Sequence, residues 1–404
     1  MDRPRRRLRA AAGRGVIAER WRASRSSVPP GHLDAAGCNV PSDRVLDAMV
    51  AHLRRERERG GYAAVPGFTA PRSALAALTG AGAADVAFLE SGTAAMAALL
   101  GGWRLRPGAR VGFTRAEYGS TLMLLRRLAG ERGWTLAELP ADDHARLDLD
   151  ALSAALRHGL DLVTLPHLPS HRGTAQPVRE IGRLCREAGV PLVLDVCQSL
   201  GHVDVTGAGA TAYVGTSRKW LAGPRGVGFL IVPGLTGDMD APAPTLGGHV
   251  WLPDPPPGMP PGLPPGPVTR PLPGAARYES SESAVAARVG LGVAVLEHHA
   301  LGPAEVRAHL AGLGAAARHT LDGRGGWRVV EPYEEPSAVV TLRPPPGADA
   351  VRTAAAAAGA GLLVSVAPVA RAPLDLREPV LRVSPPPGTP QETLDALARF
   401  LDGR

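Results

Sequence analysis

Lys219 is the residue whose type and setting point most directly to chemistry. It lies in the segment 212–230 and is the only lysine of the 404 residues, so arginine supplies every other side chain in the Lys+Arg total of 45. Arginine stays charged at any workable pH, whereas a lysine amine can lose its proton and attack a carbonyl carbon. A single retained lysine therefore indicates covalent catalysis, although drift from lysine to arginine would leave the same pattern.

Two further polar features follow predicted strands. A short apolar strand at 85–89 precedes the polar loop 91–93, and a helix of small residues comes next. A helix that begins directly after a strand points unpaired backbone N–H groups at an anion. Asp195 ends the apolar run 191–194, and a carboxylate there either caps the next turn or pairs with a cation. The sequence thus predicts an anion cradle and a carboxylate besides Lys219.

Strands alternate with helices from residue 85 to residue 232, which predicts an α/β fold with a mostly parallel sheet and helices on both faces. Ligands of such sheets bind beyond the carboxyl ends of the strands, so the three features should share one rim. Four later strands predict a smaller α+β domain. The predicted divisions are a tail and short helix (1–30), a large domain (31–282) and a small domain (283–404). The large domain contains a Pro-rich loop, 253–273, expected to form neither helix nor ladder.

Composition narrows the class of protein. The net charge is +7, but arginines are interspersed with acidic residues, aromatic residues make up 4%, and no nucleic-acid-binding motif is present, so a nucleic-acid partner is not expected. No apolar run reaches the length of a membrane span, and the Arg-rich start is a poor signal peptide. Cys38, Cys185 and Cys197 have no metal-ligand spacing. These features predict a cytoplasmic protein that binds neither metal nor membrane.

An anion cradle, a carboxylate and a lone lysine at one rim match the requirements of pyridoxal phosphate. Lys219 would bind the aldehyde covalently, and the loop amides would bind the phosphate. Asp195 would pair with the pyridine nitrogen, because an adjacent carboxylate favours the protonated ring. A protonated ring is the stronger electron sink.

Three segments carry a family resemblance: Asp-Val-Cys-Gln-Ser-Leu-Gly-His at 195–202, Thr-Ser-Arg-Lys at 216–219 and Gly-Pro-Arg-Gly-Val-Gly at 223–228. They resemble the class V aminotransferases of fold type I, which include cysteine desulfurases and related lyases. Together with the segments 32–38 and 60–62, they make the chain most similar to the hercynylcysteine sulfoxide lyases of ergothioneine biosynthesis. The resemblance runs from about residue 17 to the C-terminus and implies fold type I, pyridoxal phosphate, an amino-acid substrate and a homodimer.

The resemblance also implies site residues. It implies that the cofactor phosphate binds to Gly92, Thr93, Thr216 and Arg218. It implies that Tyr118 stacks on the pyridine ring and that Ser170 and Gln198 lie near the ring hydroxyl. Arg382 would bind the substrate carboxylate. Several of these have simpler explanations. Tyr118 could be a core residue, Gln198 a helix-cap contact, and Arg382 one arginine among many. His171, beside Ser170, is expected to be a solvated loop residue.

One departure from the family bears on the reaction. Desulfurases carry a catalytic cysteine in the small domain, and this chain has no cysteine after Cys197. The missing cysteine argues against persulfide chemistry. The resemblance implies β-elimination from a cysteine S-conjugate sulfoxide, with Trp251 and Tyr62 as candidate aromatic faces for a trimethylammonium group. Transamination and cysteine desulfuration on the same scaffold are alternatives, and a non-catalytic basic binding protein is a third.

Overall fold

A seven-stranded sheet forms the centre of the molecule. The computed structural model describes residues 15–252 and 268–403. The strands lie in the order β1-β7-β6-β5-β4-β2-β3, and only β7 runs antiparallel to its neighbours, so the predicted mostly parallel sheet is confirmed. The strands are β1 Val86–Leu89, β2 Arg110–Thr114, β3 Thr135–Leu139, β4 Leu162–Pro166, β5 Leu192–Asp195, β6 Ala212–Thr216 and β7 Gly228–Ile231.

Helices cover both faces of this sheet, as predicted. The first nine are α1 (15–23), α2 Ala35–Cys38, α3 Asp43–Arg59, α4 Gly61–Ala64, α5 Thr69–Ala77, α6 Gly92–Gly102, α7 Gly119–Arg132, α8 Leu149–Arg157 and α9 Val178–Glu187. On β5, Leu192 and Leu194 join one apolar cluster with α5, α8 and α9, whereas Val193 joins a second with α6 and α7. A parallel strand buried on both faces needs such a continuous apolar run.

A smaller antiparallel sheet follows. Its strands are β10 Arg328–Val329, β11 Val340–Arg343, β12 Ser365–Ala367 and β13 Val380–Val383, in the order β10-β11-β13-β12. The remaining helices are α10 Val285–Leu301, α11 Pro303–Leu321, α12 Ala350–Gly359 and α13 Gln391–Asp402. Helix α11 was not predicted from the sequence, because its many alanines and glycines leave only a weak apolar stripe along the helix. Helix α10 packs on α3 and α5. The domain divisions at residues 30 and 282 stay predictions.

The expectation for the Pro-rich stretch 253–273 is wrong in part. Residues 253–267 lie outside the described residues, as does most of the predicted tail. Within the remainder, Val268–Pro271 forms β9, which pairs antiparallel with β8, His249–Leu252. Proline is tolerated at the end of a strand in a two-stranded ribbon, because such a strand has a free edge.

No helix among residues 15–252 and 268–403 is both long and apolar enough to span a bilayer.

Candidate active site

The three chemical features meet at one edge of the large sheet. Strands β1 and β6 both run antiparallel to β7, and β5 runs parallel to β6, so their carboxyl ends point the same way. A cavity opens there. Its lining includes all nine residues predicted to bind the cofactor: Gly92, Thr93, Tyr118, Ser170, Asp195, Gln198, Thr216, Arg218 and Lys219.

The anion cradle is the N-terminus of α6. The hydroxyl of Ser91 accepts a hydrogen bond from the Ala94 N–H at 3.0 Å, which caps the helix. Gly92 must lack a side chain, because a Cβ there would lie 2.5 Å from Cys197 Sγ. Gly228 on β7 is required as well, since its Cβ would lie 2.2 Å from the Ser91 carbonyl carbon. The loop is therefore pressed directly against the turn that carries Asp195.

This contact predicts the behaviour of a Gly92→Ala variant. The new methyl collides with Cys197 Sγ and displaces the helix N-terminus, so pyridoxal phosphate affinity should fall by about tenfold to a hundredfold. Combining it with Cys197→Ala removes the obstructing sulfur and should restore most of the affinity. Fluorescence titration with the cofactor measures both, with Cys197→Ala alone as the control. A double variant as weak as the single one would contradict this account.

Lys219 lies in a tight turn after β6. Its carbonyl accepts from the Ala222 N–H at 2.9 Å, and the next residue, Trp220, stacks on buried His202 with ring centroids 3.7 Å apart. Burial lowers the pKa of Lys219 to about 8, and Arg218 and Arg382 act in the same direction, whereas Cys197 and Asp195 oppose it. A larger share of the amine is therefore neutral near neutral pH than for an exposed lysine.

A second carboxyl group lies beside Asp195. Asp195 Oδ1 accepts from the Cys197 N–H at 2.8 Å. Glu117 is fully buried; its Oε1 accepts from the Tyr118 N–H at 2.9 Å, and its Oε2 has no hydrogen-bond partner in the described structure. Burial, helped by the charge of Asp195, raises the pKa of Glu117 to about 8. Glu117 is thus mostly protonated at pH 7.

Replacement of Glu117 by glutamine should change how stability depends on pH. In the unfolded chain Glu117 ionises near its ordinary pKa of 4.5, but in the fold it keeps its proton up to about pH 8. Glu117 therefore lowers the free energy of unfolding of the wild type as pH rises from about 4.5 to 8. Glutamine keeps the neutral shape without titrating, so the stability gain of the variant should grow across that window. Urea unfolding of the ligand-free proteins at pH 5 to 8 measures it; a constant difference would refute the assignment.

The two polar groups near the expected ring hydroxyl, Gln198 and Ser170, differ in the hydrogen bonds that they already form. Gln198 donates from Nε2 to the Ala36 carbonyl at 3.0 Å and accepts at Oε1 from Trp220 Nε1 at 3.1 Å. Gln198 therefore has one amide hydrogen left for a ligand. Ser170 differs, because its hydroxyl oxygen is buried without a partner in the described residues. Ser170 is thus the more available group for a polar ligand atom.

Arg382 lies next to the cavity and does not line it. It is 1% exposed, and its guanidinium donates to the Ser170 carbonyl at 2.8 Å, to Asp34 Oδ1 at 3.1 Å and to Ser365 Oγ at 3.1 Å. Burial lowers its pKa to about 10, so it stays charged. Sequence reasoning missed Asp34, which is separated from Arg382 by most of the chain.

Three further residues are not where the sequence suggested. His171 is fully buried, and its Nε2 lies 2.6 Å from Asp375 Oδ2, so the expectation of a solvated loop residue is wrong. Residues of the small domain pack against this loop and exclude water from His171. Tyr62 and Trp251 are 86% and 61% exposed and do not line the cavity.

The fold and this rim define a pyridoxal phosphate enzyme, and comparison with known proteins gives its family. The model of the family described as aminotransferase class-V matches residues 32–349, so the chain belongs to the class V aminotransferases, whose cofactor is pyridoxal phosphate. It is 41% identical to a probable hercynylcysteine sulfoxide lyase of Mycobacterium tuberculosis (strain CDC 1551 / Oshkosh), over 95% of this chain and 93% of that one.

More distant relatives include desulfurases. A probable cysteine desulfurase of Methanothermobacter thermautotrophicus is 31% identical over 49% of this chain and 52% of its own length. The solved structure of the cysteine desulfurase CsdA from Escherichia coli superposes with a TM-score of 0.82 over 96% of this chain and 98% of that chain, at 18% identity. At such low identity this likeness confirms the fold alone, which is the predicted fold type I.

The residues present fit pyridoxal phosphate. The helix N-terminus at Gly92 suits a phosphate, the unpartnered hydroxyl of Ser170 suits a ring oxygen, and the carboxylate of Asp195 suits a protonated ring nitrogen. Lys219, with its lowered pKa, suits an aldehyde. The individual assignments stay predictions.

Proposed function

We propose that this protein is a carbon–sulfur lyase that cleaves hercynylcysteine sulfoxide by β-elimination. The observation that carries the proposal is the end-to-end similarity to a probable hercynylcysteine sulfoxide lyase, combined with a cavity in which Lys219 and the other predicted cofactor residues come together. The products are a sulfenic acid that gives ergothioneine on reduction, and 2-aminoacrylate, which hydrolyses to pyruvate and ammonia.

Each step assigns a task to a residue of the chain. When bound, pyridoxal phosphate supplies an electron sink for the charge that develops at the substrate Cα. Arg382 would bind the substrate carboxylate through the two guanidinium hydrogens that Ser170, Asp34 and Ser365 leave free, and would so orient the Cα–H bond. The Lys219 amine would take the Cα proton, and the carboxylate of Asp195 would favour a protonated ring nitrogen in the bound cofactor.

Cleavage then breaks the Cβ–S bond, and the electron pair leaves with sulfur. A sulfenate is a better leaving group than a thiolate, so the oxidised sulfur favours elimination. The reaction needs a proton acceptor and no protein thiol.

The position of the thiols supports elimination over desulfuration. A desulfurase needs an accessible thiolate to accept sulfur. Cys197 lines the cavity, but burial and the charge of Asp195 raise its pKa well above the ordinary value, so it stays a thiol. Cys185 is buried, and the exposed thiol belongs to Cys38, the last residue of α2, two positions after Ala36, whose carbonyl accepts from Gln198.

Product analysis with L-cysteine separates the candidate reactions. A desulfurase releases alanine and leaves a persulfide, and Cys38→Ala would abolish that activity. An aminotransferase releases a keto acid that retains the sulfur. The proposed lyase forms neither product, and Cys38→Ala should leave its pyruvate release from the sulfoxide unchanged. Alanine formation that depends on Cys38 would overturn the proposal.

The assembly and location of the enzyme are also proposals. We expect a homodimer, as in the resemblance, and a cytoplasmic protein. Light scattering on the purified protein tests the first, since a monomeric mass would refute it. Fractionation of cells tests the second.

A further inference from the structure

Arg371 lies close to the cavity and has no acidic partner among residues 15–252 and 268–403. It ends the short 3₁₀ turn Val369–Arg371, between β12 and β13, and its side chain is half-buried. Within the described residues it forms no ion pair and no side-chain hydrogen bond. Its charge nevertheless acts on two neighbours at the site, Arg382 and His171.

Packing fixes this turn at the rim of the cavity. A Cβ on Gly119 would lie 2.1 Å from the Ala370 carbonyl oxygen, so the turn rests directly on the residue that follows Tyr118. Position 119 must be glycine for the turn to approach so closely. The turn therefore borders the corner at which Tyr118 enters the cavity.

Asp375 ties the same segment to two loops of the site. Its carboxylate lies 3.0 Å from Arg115 Nε, 2.6 Å from His171 Nε2 and 2.5 Å from Arg172 Nε. Arg115 precedes the corner that carries Tyr118, and the other two follow Ser170 directly. These three contacts hold the segment 369–375, which includes Arg371, against the loops that carry Tyr118 and Ser170.

Arg371 adds a positive charge next to another arginine of the site, Arg382. Arg382 has a counter-ion, Asp34, and its other hydrogen bonds go to Ser170 and Ser365. The positive charge of Arg371 repels that of Arg382. Such repulsion is unfavourable between buried or half-buried groups unless an anion binds near them. Arg218, the guanidinium of the cavity lining, is already assigned to the cofactor phosphate. An anion on the substrate is therefore the missing partner of Arg371.

We propose that Arg371 binds a second carboxylate on the substrate, carried by the portion that leaves with the sulfur, and so selects cysteine S-conjugates with an anionic substituent. This inference rests on the proposed lyase function, because it assigns Arg382 to the amino-acid carboxylate. It makes Arg371 a specificity residue that acts mainly on KM.

Two matched substrates test the proposal: S-(2-carboxyethyl)-L-cysteine sulfoxide and its carboxamide. The wild type should prefer the carboxylate in kcat/KM by about tenfold to a hundredfold. Arg371→Gln should remove that preference by losing activity on the carboxylate alone, and Arg371→Lys should restore part of it. Arg377→Gln, at an exposed arginine that follows the segment 369–375, is the control and should behave as wild type.

Binding supplies a second measurement that needs no turnover. The dissociation constants of the two corresponding thioethers, followed by the visible absorbance of the bound cofactor, should show the same preference and the same loss in Arg371→Gln. If pyruvate is released but the wild type and Arg371→Gln discriminate equally, the inference is wrong and the lyase function stands. If no conjugate yields pyruvate but the binding preference depends on Arg371, the lyase function is wrong and the anion site stands.

Discussion

A Lys219→Ala variant is expected to lose pyruvate release by about 10,000-fold or more, because the proposed reaction gives this one amine two tasks, binding the cofactor aldehyde and accepting the Cα proton. The visible absorbance of the lysine-bound cofactor should disappear as well. No second lysine exists in the chain to replace it. Steady-state assays of the cofactor-loaded protein, together with absorbance spectra, measure both losses.

The matched control for this variant is Lys219→Arg. It keeps a positive charge in the buried turn but cannot release a proton at any workable pH. Both variants should therefore be inactive, and unchanged circular dichroism would show that they are folded. Turnover near the wild-type rate in either variant would remove Lys219 from the reaction.

Replacement of Asp195 by asparagine should reduce kcat by about a hundredfold to a thousandfold. Asparagine retains an oxygen that can accept from the Cys197 N–H, so the turn should keep its geometry. It lacks the negative charge that keeps the ring nitrogen protonated, which weakens the electron sink. The loss should appear in kcat, with the cofactor still attached to Lys219.

The control for this prediction is Asp47→Asn, an exposed position on α3, which should have wild-type kinetics. Spectra separate the two effects, since Lys219→Ala loses the attachment whereas Asp195→Asn keeps it. An Asp195→Asn enzyme with unchanged kcat would mean that this carboxylate has no part in the electron sink.

The large sheet, and the convergence of the proposed cofactor residues on one cavity, could be predicted from the sequence for physical reasons. Strands buried on both faces leave continuous apolar runs, and their carboxyl ends must share an edge when the strands are parallel. The loop at Gly92, Asp195 and Lys219 could therefore be brought together from strand order alone. Tyr118, Ser170 and Gln198 came from the resemblance, and the structure places them in the same cavity.

The features that sequence reasoning missed depend on contacts between distant segments. Asp34 pairs with Arg382, the charge of Asp195 acts on buried Glu117, and Asp375 binds His171, and none of these pairs has a local sequence signal. Burial then reverses the ordinary behaviour of single residues. Glu117 becomes a neutral acid, and His171, expected in solvent, becomes part of an internal ion cluster.

Pyruvate release from hercynylcysteine sulfoxide, compared with the corresponding thioether and with L-cysteine, tests the central claim most directly. The account predicts rapid pyruvate formation from the sulfoxide by the cofactor-loaded wild type, slow release from the thioether because a thiolate leaves poorly, and none from Lys219→Ala. Alanine and persulfide from cysteine, with no pyruvate from the sulfoxide, would contradict it.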